Sequence, residues 1–417
     1  MLKYITPRIR FQEFDFWWET IKLTDLGISV GGTAIESEFD PDGKYKVISI
    51  GSYSEESKYK DQGIRAIYSK KTEKRILEKD DLTMILNDKT STGKIIGRVL
   101  LIDEDNSYVY NQRTQRICLD KNKYVPDFIF QLLNADINRN KIVRSAQGNT
   151  QIYVNWSDIS NLDYLIPESI EEQSAIGSLF LTLDDLLASY KDNLANYQSL
   201  KATMLSKMFP KAGQTVPGIR LDGFEGEWEV QTLKELASFS KGNGYTKNDL
   251  VNSGEEIILY GRLYTNYQTV ISKVNTFVTT VKANAVISKG GEVIVPASGE
   301  SAEDISRASV VEKSGVILGG DLNIIYPDEN KVDSIFLALT ISNGSQQKEL
   351  IKRAQGKSVV HLRNNDLEKV VLHYPSMEEQ QAIGTYFSNL DNLIAAHQEK
   401  IYQLETLKKK LLQDMFI

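Results

Sequence analysis

The chain is poor in the residues that carry covalent and metal chemistry. Cys118 is its one cysteine among 417 residues, so an internal disulfide framework is excluded and a reducing compartment fits. That cysteine and three histidines, His361, His373 and His397, cannot supply a His/Cys zinc site of the usual kind. No run of 18 apolar residues occurs, which excludes an obvious membrane span. The stretch from Met1 to Pro7 has no apolar signal-peptide core, so the expected location is the cytoplasm. A net charge of −7 argues against a protein that coats DNA unaided, while leaving room for a local basic surface or a partner's. What is present, 41% hydrophobic and 25% charged residues, describes a globular protein of two to four domains.

Catalytic motifs are missing as well. Gly356-Lys357-Ser358 ends like a phosphate loop, but the position of that motif's first glycine is Ile351. No G-x-G-x-x-G opens a helix after a strand. Neither Asn-Pro-Pro-Tyr nor Asp-Pro-Pro-Tyr, which an amino-methyltransferase would use to hold adenine, occurs. Pro126-Asp127 lacks the acidic-x-Lys partner of a nuclease motif, and no carboxylates cluster as an acid/base pair. The expectation is a chain that recognises or organises and does not catalyse, with no metal and no cofactor of its own.

The sequence is, however, written twice. Pro7, Ile9-Arg10, Phe14, Trp18-Glu19, Leu23 and Leu26 return 210 positions later as Pro217, Ile219-Arg220, Phe224, Trp228-Glu229, Leu233 and Leu236. Ala146-Gln147-Gly148 matches Ala354-Gln355-Gly356, and Pro167 matches Pro375. Glu171-Glu172-Gln173-Ser174-Ala175-Ile176-Gly177 is echoed by Glu378-Glu379-Gln380-Gln381-Ala382-Ile383-Gly384, and Leu183-Asp184, Leu200-Lys201 and Met208-Phe209 by Leu390-Asp391, Leu407-Lys408 and Met415-Phe416. Seven residues, Pro210 to Val216, link Phe209 to the second copy. Joining the two ends would again leave seven, Ile417 with Met1 to Thr6. This near-cyclic relation suits a pseudo-two-fold axis; the alternative is a tandem duplication without spatial symmetry.

Within each copy the hydrophobic period changes. Short β-type runs such as Tyr45–Gly51, Thr83–Leu86, Glu256–Gly261, Val293–Val295 and Leu322–Ile325 alternate with turn signals, and helical stretches fall near Phe128–Leu133 and Phe336–Thr340. This reads as an α+β domain on antiparallel strands. From Glu171 the pattern becomes heptad. One seam carries Ile176, Phe180, Leu183, Leu187, Tyr190, Leu194, Tyr197, Met204 and Met208. The other carries Ile383, Phe387, Leu390, Ile394, Ile401, Leu404, Leu411 and Met415. From Ile176 to Met208 such a helix would rise about 48 Å. Two matched helices of this length most simply pack on each other, antiparallel if the halves are two-fold related. Lys201 and Lys408 interrupt equivalent seam positions and fit a role in register or orientation. His397, at the place of Tyr190, reads as a tolerated seam residue and not a ligand.

The expected division is therefore a mixed domain over 1–168, a helix over 169–209, a linker over 210–216, a second mixed domain over 217–375 and a second helix over 376–417. Basic residues concentrate over 58–79, including Lys58, Lys60, Arg65, Lys70 and Lys71, and near the two Gln-Gly turns, where Arg144, Arg353 and Lys357 stand. These could neutralise phosphates, and Gln147 and Gln355 could approach a base edge. A basic run is more often only a solvated face, and a structural role suits the Gln-Gly turns better than base reading.

This organisation resembles the specificity subunit of type I restriction–modification enzymes. The resemblance rests on the Glu-Glu-Gln-x-Ala-Ile-Gly helix starts, the segment Gly223 to Val230 and the Lys-x-x-Leu-Leu-x-x-Met-Phe ending, Lys408 to Phe416, and it covers essentially the whole chain. In the first copy the lead-in is degraded, with Glu13 and Phe16 in place of Gly223 and Gly226. The resemblance implies two pseudo-two-fold-related target-recognition domains, each reading half of a bipartite double-stranded DNA site. It implies an antiparallel coiled coil that separates them, sets their spacing and docks two methyltransferase subunits. Those partners would bind S-adenosylmethionine, and two further restriction subunits, where present, would use ATP and Mg. The alternative is a coiled-coil DNA-binding regulator or scaffold without a methyltransferase partner.

Overall fold

The computed structural model describes residues 6–356 and 359–416. The chain forms two compact units. Unit 1 comprises the residues up to Lys191 together with Glu399 onward, and unit 2 comprises Asp192–Gln398. Both boundaries fall inside long helices, Ile170–Lys207 and Met377–Met415. Each unit thus holds the first part of one long helix and the last part of the other.

In unit 1 the main sheet is antiparallel, in the order Gly27–Gly31, Thr114–Leu119, Leu82–Ile85, Val99–Leu101. Leu82–Ile85 is central and buried on both faces, as its unbroken Leu-Thr-Met-Ile run requires. The helix Pro126–Asn134 starts on a proline whose missing N–H costs nothing in a first turn. It buries Phe128, Ile129, Leu132 and Leu133 in the same core. A smaller sheet joins Arg65–Ala66, Tyr45–Ile48 and Tyr108–Tyr110. Here Lys46 pairs with Tyr108 in parallel, which differs from the antiparallel expectation. Parallel pairing needs a long crossover, and no local residue pattern encodes one. Trp18–Lys22 pairs with Asp163–Pro167, and this ribbon leads directly into the first long helix.

Unit 2 follows the same plan. Its main sheet runs Ala237–Lys241, Leu322–Pro327, Glu292–Pro296, Ser309–Val311, Val270–Ile271, the last pair parallel. The helix Ser334–Ile341 is capped by Asp333, whose carboxylate accepts the Phe336 N–H at 2.9 Å. Glu229–Thr232 pairs with Val371–Tyr374 ahead of the second long helix.

The long-helix segments run antiparallel within each unit. In unit 1 Phe180 lies 5.8 Å from Phe416, while Lys408, further back along the second helix, reaches Asp184, further along the first. In unit 2 Phe209 lies 6.3 Å from Phe387, while Lys201 reaches Asp391. The seam residues stand on the covered side. Ile176, Phe180, Leu183, Leu187, Met208, Ile383, Phe387, Leu390, Leu404 and Met415 are buried, and Tyr190, Leu194, Tyr197, Met204, Ile394, Ile401 and Leu411 are half-buried. The Met-Phe endings act as plugs. Phe416 packs on Phe128 at 5.7 Å in unit 1, and Phe209 on Phe336 at 5.8 Å in unit 2.

Candidate nucleic-acid interface and helix seam

The repeated helix starts are explained by packing. Glu172 is buried and receives the Arg10 guanidinium through Nε and Nη2, both at 2.6 Å; the Trp18 indole N–H donates to it at 3.2 Å. Glu379 receives Arg220 in the same bidentate way, at 2.7 and 2.6 Å. Hydrogen bonding to these carboxylates raises both arginines above their ordinary value. The glutamine that follows ties three segments together. Gln173 accepts the Val125 N–H at 3.0 Å and donates to the Lys123 and Pro167 carbonyls. Gln380 accepts from Asp333 N–H and donates to Lys331 and Pro375. Each Gln thus fixes its long helix to the ribbon and to the short core helix of its own unit. The arginine–glutamate pairs escaped the sequence reading, although Arg10 and Arg220 stand at matched places in the repeat.

The two seam lysines are also paired. Lys408 donates to Asp184 Oδ1 at 2.6 Å and Lys201 to Asp391 Oδ1. Both carboxylates belong to the Leu-Asp repeat. His397 meets the Tyr197 ring edge to face at 5.1 Å, and its Nδ1 lies 2.8 Å from the Leu393 carbonyl. Among the described residues no group of three or more His, Cys, Asp or Glu could hold a metal ion. No helix there is long and apolar enough to cross a membrane.

The basic residues named from sequence differ in exposure and in their partners. Lys58 and Lys60 are exposed on the loop before strand Arg65–Ala66, and Lys70 and Lys71 on the short helix Lys70–Glu73. Arg65 is half-buried and committed to Asp61, donating to both carboxylate oxygens at 2.9 and 2.8 Å. That hydrogen bonding holds the Asp61 carboxyl down at about 2. Lys71 donates to Ser37 at 2.8 Å beside Glu38. Arg144 is exposed in the last turn of helix Asp136–Arg144. Arg353 pairs with Glu349 one turn earlier at 2.6 Å. Lys357 lies outside the described residues.

The Gln-Gly turns are built alike. Gln147 and Tyr153 exchange main-chain hydrogen bonds at 2.9 Å, and Gln355 and His361 at 3.0 and 2.8 Å. Gly148 and Gly356 adopt φ of 102° and 139°, and a Cβ would stand 2.2 Å from Gln151 O and 1.9 Å from Val359 O. Only glycine fits there. The amides of Gln147 and Gln355 remain exposed beside the basic ends of their helices.

Two copies of one fold, each closed by a glutamate–glutamine helix start and a Met-Phe plug, define a duplicated recognition protein. The model of the type I restriction modification DNA specificity domain matches residues 17–196 and 225–406, and the chain belongs to that family. It is 20% identical over 410 residues to the type I restriction enzyme MjaVIII specificity subunit of Methanocaldococcus jannaschii, covering 95% of this chain and 91% of that one. To the putative MjaX specificity subunit of the same organism it is 22% identical over 306 residues, covering 70% and 68%. The crystal structure of a type I restriction–modification S subunit from M. genitalium shares the fold, with a TM-score of 0.64 at 16% identity over 99% of both chains.

Proposed function

We propose that the chain is the DNA-reading subunit of a type I restriction–modification complex, each unit reading one half of a bipartite site. The observation that supports this best is the family match over both copies, each copy ending in a helix that contributes to both cores. The exposed amides of Gln147 and Gln355, with exposed Arg144, Lys58, Lys60 and Lys70, are the side chains we assign to DNA contact. Phosphate contacts would position each unit, while base-edge contacts would carry sequence. The paired helices set the gap between half-sites and offer two equivalent surfaces to two methyltransferase subunits. Those subunits supply S-adenosylmethionine and the transfer chemistry; this chain binds and orients, in the cytoplasm.

A fixed gap matters because one added base pair shifts the half-sites by about 3.4 Å and turns them by about 34°. The test is methylome sequencing of a host expressing the chain with its methyltransferase. Removing one heptad from both long helices shortens the preferred spacer, and removing it from one abolishes methylation. An unchanged spacer after matched removal would overturn the ruler. Failure to co-purify with any methyltransferase would favour a regulator or scaffold.

A further inference from the structure

The two units share one plan but differ at one sheet edge. Leu82 pairs with Ile117 on one side and Leu101 on the other, and Val293 likewise pairs with Ile325 and Val310. Ile117 and Ile325 stand at the repeat spacing, so Leu101 corresponds to Val310 and Asp103 to Glu312. In unit 2 that edge is covered by Val270–Ile271. The Val310 N–H donates to Thr269 O at 2.8 Å and the Glu312 N–H to Ile271 O at 3.2 Å. Just upstream, the Tyr267 hydroxyl donates to Ser342 at 3.2 Å, and the Thr269 hydroxyl donates to Asp391 at 3.2 Å.

Among the described residues the unit 1 sheet stops at Val99–Leu101. The chain at the matching place turns back at Ser57, with φ of 59°. Its hydroxyl donates to Asn134 Oδ1 at 2.7 Å, and that oxygen also accepts the Val99 N–H at 3.0 Å. Beyond this cap lies a groove of about 690 Å³, against about 250 Å³ beside Tyr267 in unit 2. Its apolar wall includes Leu101, Phe130, Ile137 and Leu181. Ile137 and Leu181 are 45% and 47% exposed, whereas serines, Ser345 and Ser388, hold their places in the other copy. Single exposed apolar side chains are ordinary, but two beside an open sheet edge are a template for pairing.

We infer that this edge of unit 1 receives an extended segment of a partner protein, one per chain, as a fifth strand parallel to Val99–Leu101. The chain's own Asn266–Ser272 defines what fits: two carbonyls placed two residues apart for the Leu101 and Asp103 N–H groups, an aromatic hydroxyl residue upstream, and no charge. Of the groove's charges, Lys408 pairs with Asp184, Lys191 with Glu405 and Glu55 with Lys94, and the rest balance in number, Lys58, Arg98 and Lys409 against Glu56, Asp127 and Asp136. It therefore suits a neutral peptide and not a nucleic acid or an acidic tail. This inference does not depend on DNA reading.

The probe is a fluorescein-labelled peptide of sequence 266–272, titrated against the full chain by anisotropy. Saturable one-to-one binding is expected, weakened at least tenfold by Leu101→Pro, which removes the donor, and kept by Leu101→Ala. Because Leu101→Pro can disturb folding, Ile137→Asp with Leu181→Asp, at exposed positions, provides an independent arm with the same expected loss. No saturation with the wild-type chain, or equal binding by the Asp pair, overturns the inference. Sedimentation that shows a dimer of this chain lost on the Asp substitutions would also overturn it, since a second copy would then be the occupant.

Discussion

Lys408 of the second long helix donates to Asp184 of the first at 2.6 Å, and both side chains are about three-quarters covered. The heptad read alone presents Lys408 as a defect in an apolar seam; in the folded unit it meets a carboxylate from the facing helix. Such a pair holds an alignment more than it adds stability. Asp184→Ala, which strands the ammonium, should cost on the order of 1–2 kcal/mol in urea unfolding. Lys408→Met together with Asp184→Ala should recover most of that loss. A loss equal to the single variant's in the double variant would show that the ion pair does not explain the effect.

Glu172 gives a larger effect. It is buried beneath Arg10 and Trp18, so Glu172→Ala leaves a guanidinium and an indole N–H without their acceptor. A cost of about 3–5 kcal/mol is expected, read as a lowered unfolding midpoint. Glu379→Ala should cost less, because the Trp228 indole N–H has no hydrogen-bond partner among the described residues to lose.

Phe416→Ala should destabilise unit 1 by about 3–5 kcal/mol, since the ring is buried between Phe128 and Phe180. Phe209→Ala should do the same to unit 2. Hydrogen exchange monitored by mass spectrometry distinguishes them: each variant should raise exchange first in its own unit.

Gly148→Ala forces a Cβ onto Gln151 O at a φ of 102°. The strain is about 1–3 kcal/mol and should reshape the Gln147 turn. Expected is weakened sequence discrimination in one half-site with that in the other intact, measured by methylation of substrates that vary each half separately.

The Cys118 thiol is pushed up by burial and then by the Asp81 charge. Because the thiolate reacts, alkylation by iodoacetamide at pH 7.5 should be several-fold slower than for a free cysteine. The rate should go on rising at a pH where free cysteine has levelled off. The sign for stability is the same: the protonated thiol is favoured in the folded chain, so its contribution is present at neutral pH and lost as pH rises through the folded value. A rate equal to that of a free thiol at pH 7.5 would contradict this environment.

The long helices and the duplication were legible because they are local or periodic: a heptad needs only its own residues, and a repeat only a second copy. The strand at Leu82–Ile85 and the helix at Pro126–Asn134 were legible for the same reason. Sheet order was not. Parallel pairing of Lys46 with Tyr108 depends on a crossover, and the edge strand Val270–Ile271 has only two residues. The partners of Glu172 and Gln173 were hidden as well, since Arg10 stands 162 positions away. Among the candidate DNA contacts, Arg65 and Arg353 already bind acids a turn or less away in sequence, and a charge count cannot reveal that.

The first unit's core takes Ile401, Leu404, Leu411, Met415 and Phe416 from the last stretch of the chain. A ribosome delivers those residues only after the whole of unit 2. The first-made half therefore waits, its greasy cleft uncovered, through the synthesis of some two hundred further residues, at about 5–20 per second. Anything that slows translation through unit 2 lengthens that exposure.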